Sequence, residues 1–425
     1  MKKLETAPYK GVRDFYPKDM TLLSYIFSNW KKVVESFGYE EYSASPLEPT
    51  ELYAAKTGEE IVNEQTYTFK DRGDRSVTLR PEMTPTVARM VAHKENELPF
   101  PLRWYSVPNV FRYEKPQKGR LREHFQLNVD LFGVDNIEAD VEVINVAYSI
   151  LKKFGAKDSD FVIKINNRKI LGALFDSLKI SKEKAHKISK VIDKKEKISP
   201  AAFETAIEEY AKGKTETLIS NLESNQVLIQ TLGNDHGEIV KLMKLIEALD
   251  KEGIKNVSFT PTLMRGFDYY TGIVFEIFDT SEENSRSLFG GGRYNDLLDI
   301  FGKRKIPTIG FGMGDVTLKD FLETHDLLPN YKSNIIIHIC VITEEARDYA
   351  NSITKNLREN GIKVSIDISG KKISDQIKYA DKKDIPFVIC IGEDEVENKI
   401  LKVKNIPTHE EKEVKEDDLV SFFRM

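Results

Sequence analysis

Runs in which apolar and polar residues alternate occur on both sides of a long helical stretch, so the sheet they build must join segments lying far apart in the chain. Before the break, GYEEYSASPLEPTELY, SVTLRPEMTP, LRWYSVPNVFRYE and EHFQLNVDLFG are short alternating or apolar runs bounded by Pro and Gly, which predicts an antiparallel sheet. After it, VSFTPTLMRGFDYYTGIVFEIF resumes strand character, which continues to Gly314. Between them, from about Asn166 to Asn256, the pattern is helical and rich in Lys and Glu, with Ile188, Val191 and Ile192 on one face and Leu242, Leu245, Ile246 and Leu249 on another. We read this stretch as a helical subdomain inserted into one discontinuous sheet domain. An amphipathic helix precedes the sheet: Leu23, Ile26, Phe27, Trp30, Val34 and Phe37 fall at helical spacing, and Gly38 supplies the stop.

Past a polar stretch near Pro329 to Ser333 the pattern changes again. IIIHICVI reads as a buried strand, Ala346, Ala350, Ile353 and Leu357 as a helix ended by Gly361 and begun at the capping residue Thr343, and VSIDI as a second strand. That alternation predicts a small α/β domain with parallel strands. A chain of 425 residues exceeds what one core usually organises. The expected layout is therefore an α+β domain over 1–325, built on a mixed, mainly antiparallel sheet and carrying the insertion. A linker over 326–332 and an α/β domain over 333–425 follow.

Composition narrows the function. The chain is 40% hydrophobic and 31% charged, ordinary for a globular protein and unlike disordered or fibrous classes. Its start, MKKLETAPYKGVRDFYP, lacks the apolar run of a secretory signal, and no stretch approaches the roughly 18 apolar residues of a membrane span. A cytosolic protein away from membranes is expected. The net charge of −5 argues against general nucleic-acid affinity, so any such binding must be local. Cys340 and Cys390 each sit inside an apolar run, where a thiol behaves as a small hydrophobe, and neither spacing suggests a metal or redox pair. The seven histidines have no ligand-like grouping, so no metal site built by the protein alone is expected.

No standard nucleotide loop is present. GKT at Gly213 to Thr215 lacks the upstream glycine of a phosphate loop and follows a helix, and GFGMGD at Gly310 to Asp315 lies late in a sheet domain with no βαβ unit after it. FRYEKPQKGRLREHFQLNVDLFG is more informative. Two strand runs flank a loop dense in cations, Lys115, Lys118, Arg120 and Arg122. Along the second strand, period-two geometry puts His124, Gln126, Asn128 and Asp130 on one face and Phe125, Leu127, Val129 and Leu131 on the other. A solvated hairpin would explain the pattern, but its polar face holds amides, an imidazole and an acid rather than the Lys and Glu of exposed sheets. A ligand site fits better.

FRYE, the basic loop and FQLNVD together resemble motif 2 of the class II aminoacyl-tRNA synthetases, an antiparallel-sheet family that binds ATP without a phosphate loop. LMRGFDYYTGIVFEIF and FGGGRY resemble two segments of the histidyl-tRNA synthetases, and LRPEMTP resembles their amino-acid-binding turn. The resemblance runs from GVRDFYP to the C-terminus, in the right order. It implies activation of L-histidine by ATP with Mg²⁺, transfer to tRNA-His, a homodimer built through motif 1 in the first helix and the strand near Pro46, and an anticodon-binding terminal domain.

The same resemblance assigns residues. Arg112 and Arg265 would be the catalytic arginines gripping the α-phosphate, a task suited to the paired donors of guanidinium. Glu114 would face the adenine edge and Arg120 the outer phosphates. Asp130 and Tyr270 would hold the imidazole of histidine, and Glu82, Thr84 and Gln126 its α-ammonium, with Tyr269 and Tyr294 lining the pocket. Lys115, Gln117 and Lys118 would meet the tRNA acceptor end. Plainer readings exist for several of these: a surface residue for Arg265, a half-buried strand pair for Tyr269 and Tyr270, a turn or helix cap for Glu82 and Thr84, a tight hairpin for Gly290, Gly291 and Gly292.

Arg265 and Tyr270 face opposite ways on a regular strand, which predicts an irregularity at Gly266. Three positions depart from the family pattern. Thr317 stands where motif 3 usually has an arginine. His124 stands where a phenylalanine usually stacks on adenine, and parity puts it, rather than Phe125, on the site face. Asn295 stands where aspartate is usual. The rival from another class is a non-catalytic, synthetase-like regulatory subunit of ATP phosphoribosyltransferase, which usually lacks both the RGFDYY segment and the terminal domain.

Overall fold

The computed structural model describes residues 4–54, 65–195, 198–264, 269–284 and 286–424. They form two compact units, residues 1–328 and 329–425.

In the first unit, strands β1 (Glu40–Glu41), β2 (Leu47–Pro49), β3 (Tyr67–Lys70), β4 (Ser76–Leu79), β5 (Leu102–Ser106), β6 (Asn109–Phe111) and β7 (Glu123–Phe132) precede the helical region. Strand β8 (Phe161–Asn167) leads into it, and β9 (Val257–Phe259), β10 (Ile273–Asp279), β11 (Ser287–Arg293) and β12 (Thr308–Gly314) follow. Among the described residues nine strands share the main sheet, ordered β1-β5-β7-β12-β11-β10-β8-β9 with β6 paired to the outer end of β7. Among the described residues of this sheet, only β1 with β5 and β8 with β9 are parallel pairs. The sheet is thus mixed and mainly antiparallel, and it joins strands from both sides of the insertion. A separate three-stranded sheet has the order β2-β4-β3.

Alternation in these strands segregates the two faces. Leu127 and Val129 of β7, Phe311 and Met313 of β12, Phe275 and Ile277 of β10 and Ile163 and Ile165 of β8 all enter one core with Trp30 and Val34 of the helix Pro17–Ser36 and Ile144 and Ala147 of the helix Ile137–Lys153. Phe125 belongs to that side too, packed edge-on against Phe15 and Phe27. The opposite face carries His124, Gln126, Asn128 and Asp130, and is covered at the Asp130 end by Val87 and Val91 of the helix Thr84–Lys94.

Several local expectations are corrected. TELYA is the short helix Thr50–Ala54, not strand. The helical insertion begins at Arg168, because Asn166 and Asn167 still pair with Val274 and Ile273 in the sheet. The strand expected through TLMRGFDYY starts only at Ile273, so Tyr270 precedes it. The expected irregularity at Gly266 lies outside the described residues.

The second unit holds β13 (Ile337–Val341), β14 (Val364–Ile366), β15 (Phe387–Ile391), β16 (Ile400–Asn405) and β17 (Glu411–Lys415), in the order β14-β13-β15-β16-β17. The first three are parallel, but β16 and β17 run antiparallel, a return that short connections permit and a parallel crossover would not. The helix expected from Thr343 starts at Arg347 with Ala346 as its cap residue. The spacing of Cys340 and Cys390 suggested no pair, yet the two stand side by side in adjacent strands. Among the described residues no helix is long and apolar enough to cross a membrane.

Candidate functional site

Strand β7 organises the site. His124, Gln126, Asn128 and Asp130 stand at alternate positions on one face, and a rise of about 3.4 Å per residue spreads them over roughly 20 Å. Antiparallel register brings Gly310, Gly312 and Gly314 of β12 directly opposite Asp130, Asn128 and Gln126. A Cβ at Gly310 would lie 2.5 Å from Oδ1 of Asp130 and 2.5 Å from the Tyr294 hydroxyl, and one at Gly312 would lie 2.8 Å from the amide of Gln126. GFGMGD, set aside as a false dinucleotide fingerprint, is therefore the floor of the site: alternate glycines leave room for the side chains of the next strand.

The Asp130 end is closed and aromatic. Asp130 is 3% exposed. The hydroxyl of Tyr294 donates to Oδ1, and that of Tyr42 donates a long 3.5 Å bond to Oδ2. Burial pushes the Asp130 carboxyl up to about 7, although both phenols pull it down. The rings of Tyr269, Tyr270 and Tyr294 pack against one another with centroids 4.9 to 6.3 Å apart. Tyr269 donates to Glu82 Oε2 at 2.9 Å, and burial raises the Tyr269 and Tyr294 phenols well above their usual range. Thr84, the first residue of its helix, also interacts with Tyr269; its side chain does not cap the helix.

The turn bearing Glu82 is braced from two sides. Arg80 donates to Ala44 O at 2.7 Å and to Asn109 O at 2.9 Å, and Arg89 grips Glu48 at 2.8 Å. On the far side, Asn166 Nδ2 donates to Pro261 O and Leu263 O, and Arg168 donates to Tyr270 O at 3.0 Å. These two residues, read from sequence as the start of the insertion, hold the segments flanking Arg265. Arg265 itself lies outside the described residues.

The other end of β7 is cationic. Arg112 donates from Nε to Pro81 O at 2.9 Å, tying the start of the basic loop to the Glu82 turn. Burial, Arg112 and Arg13 together push the His124 imidazole down to about 3, so it is uncharged at neutral pH. Arg13, from GVRDFYP, pairs at 2.8 Å with the buried Asp315, which also accepts from the Phe125 amide. In the loop, Glu114 pairs with Arg120 at 3.0 Å, Gln117 and Arg120 close a tight turn, Lys115 and Gln117 are exposed, and Lys118 donates to Glu283 O at 3.3 Å.

Two departures have structural explanations. The Thr317 hydroxyl donates to Leu288 O at 2.7 Å, so it braces β11. Asn295 accepts from the Thr308 amide at 3.0 Å through its side-chain oxygen, a role that an aspartate oxygen would fill equally. Among the described residues no group of three or more His, Cys, Asp or Glu could hold a metal.

A mainly antiparallel sheet with a polar site face, a basic hairpin and a separate α/β unit is the architecture of a class II aminoacyl-tRNA synthetase. Comparison with known proteins agrees. Residues 11–316 match the histidyl-tRNA synthetase family and residues 335–425 match the anticodon binding domain. Histidine–tRNA ligase of Leptospira biflexa is 44% identical, over 95% of this chain and 94% of its own, and that of Thermoplasma volcanium is 35% identical over 97% of each. Among solved structures, histidyl-tRNA synthetase from Nostoc sp. superposes with a TM-score of 0.84 at 25% identity over 99% of both chains, and the apo S. aureus enzyme with 0.75 at 28% identity over the whole of both. The chain belongs to the histidyl-tRNA synthetase family.

Proposed function

We propose that the chain is a histidine–tRNA ligase, activating L-histidine with ATP and transferring it to the 3′ end of tRNA-His. The observation that carries this reading is the pairing, on one sheet face, of a buried acid ringed by phenols with an uncharged imidazole beside Arg112. One end suits an imidazole side chain and the other a nucleotide. That both relatives named above are ligases and span the terminal unit disfavours the regulatory-subunit reading.

Asp130 and Tyr270 take the imidazole of histidine, while Glu82, Thr84 and Gln126 take its α-ammonium. Tyr269 braces Glu82 and Tyr294 braces Asp130. A site that hydrogen-bonds both ends of a substrate rejects analogues lacking them by roughly 10⁴, so no editing site is needed. The histidine carboxylate then attacks the α-phosphate, a new O–P bond forms, and the bond to pyrophosphate breaks. Arg112 and Arg265 neutralise the charge that accumulates on the non-bridging oxygens. Mg²⁺, entering with ATP, would offset the negative charge of the phosphates. In the second step the terminal tRNA hydroxyl attacks the histidyl carbonyl and AMP leaves.

His124, flat and uncharged, stacks on adenine. Glu114 faces the adenine edge and Arg120 the outer phosphates; their mutual ion pair must part for ATP, at small cost because Arg120 is half exposed. With Thr317 committed to Leu288, Arg112, Arg120 and Arg265 carry what a motif 3 arginine would. Lys115, Gln117 and Lys118 meet the acceptor end, and the domain beginning near Ser333 reads the anticodon. The outer face of the small sheet aligns Leu47, Leu79 and Tyr67 in one row and Pro49, Val77 and Phe69 in the next, with Leu47 and Phe69 nearly half exposed. An apolar face of this kind marks an interface, here that of a cytosolic homodimer.

Histidine-dependent ATP–pyrophosphate exchange, followed by charging of tRNA-His, tests the reading. Exchange with histidine alone is the expected result; none with any amino acid would leave the fold without this function. An Arg265→His variant with full exchange would remove Arg265 from the chemistry.

A further inference from the structure

Asp130 has two oxygens and two phenolic neighbours, and the neighbours are unequal. Tyr294 makes the close contact to Oδ1, from the residue just after β11. Tyr42 makes the long contact to Oδ2 at 3.5 Å, from the segment after β1, where its amide donates to Tyr105 O at 2.8 Å and its ring lies against Trp104. Oδ1 is crowded by Tyr294 and by the backbone of Gly310. Oδ2 is consequently the oxygen with capacity for another donor, and Tyr42 stands beside it. Tyr39 and Arg80 act on this pair through charge, and Gly310 of β12 stands directly opposite Asp130.

We propose that Tyr42 is a positioning residue for histidine selection, holding Oδ2 of Asp130 as an oriented, ionised acceptor for the imidazole N–H; this rests on the reading of Asp130 as the ring-binding acid. A carboxylate with one oxygen tied can still turn its free oxygen between rotamers. A second phenol from a different segment removes that freedom before the substrate arrives. The same hydroxyl favours the anion against the burial that disfavours it, since a hydrogen bond to the charged form lowers an acid's pKa. Tyr42 thus acts on orientation and ionisation together, through Asp130 and without touching ATP.

Tyr42→Phe keeps the ring against Trp104 and deletes only the hydroxyl. In pyrophosphate exchange it is expected to raise the KM for histidine about tenfold, the usual effect of losing a hydrogen bond to a charged group, and to leave the KM for ATP within about twofold. Without the bond the carboxyl titrates higher, so the acidic limb of kcat/KM for histidine moves to higher pH relative to wild type; the ionisation of free histidine is common to both proteins and cancels. Unchanged histidine KM and pH limb would overturn the proposal. So would an equal rise in both KM values, which would mark a structural role only. Asp130→Asn distinguishes the two levels: if it too leaves the histidine KM unchanged while wild type exchanges normally, the assignment of Asp130 fails and Tyr42 falls with it.

Discussion

Gly310 lies directly across the strand pair from Asp130, and the carboxylate and the Tyr294 hydroxyl together fill the space that a side chain at Gly310 would need. Gly310→Ala would therefore have to displace the acid, the phenol or the strand. We expect exchange activity to fall by about a hundredfold or more, mostly in the histidine KM, in line with what a misplaced group costs. Far-UV circular dichroism unchanged from wild type would show that the loss is local.

Asp130 also carries a stability cost. Its carboxyl titrates near 3.8 when unfolded and about 7 when folded, so the folded chain binds more protons across that window and loses stability as pH rises through it. The penalty is absent below pH 4 and complete above pH 7. Asp130→Asn removes the charge, and its Tm should exceed that of wild type by several degrees at pH 8 while matching it at pH 4. Equal Tm differences at both values would contradict the burial argument.

The ring at position 124 should matter more than its basicity. Since His124 stays neutral down to about pH 3, His124→Phe should keep the ATP KM within a few-fold, whereas His124→Ala should raise it about tenfold through lost stacking. A Phe variant as impaired as the Ala variant would point instead to a hydrogen-bonding role.

Substituting Phe69→Glu, alone or with Leu47→Glu, places charge on the apolar face of the small sheet. Size-exclusion chromatography with light scattering should show monomer where the wild type is expected to be the proposed dimer, since burying an unpaired charge is costly. A variant that stays dimeric would move the interface elsewhere.

Much of the architecture was legible because periodicity is a local property. Alternation in EHFQLNVDLFG separated the site face from the core face, and Phe125 packs on the core side while His124 does not. Element ends were less legible. Asn166 and Asn167 carry no strand propensity of their own and are held in β8 by pairing with β10. Thr343 has the right chemistry for a cap, but the helix starts later, at Arg347.

What the sequence by itself determined is the order of elements, the polarity of each strand face and the family. Those follow from side-chain period and motif spacing, which need no partner to be read. Only the tertiary structure decided which distant residues meet: that Tyr42 and Tyr294 hold opposite oxygens of Asp130, that the glycines of GFGMGD lie beneath Gln126 and Asp130, and that Asn166 anchors the backbone before Arg265. Strand register sets these contacts. A shift by one residue would turn every side chain to the other face, and register depends on how whole strands pack against a common core.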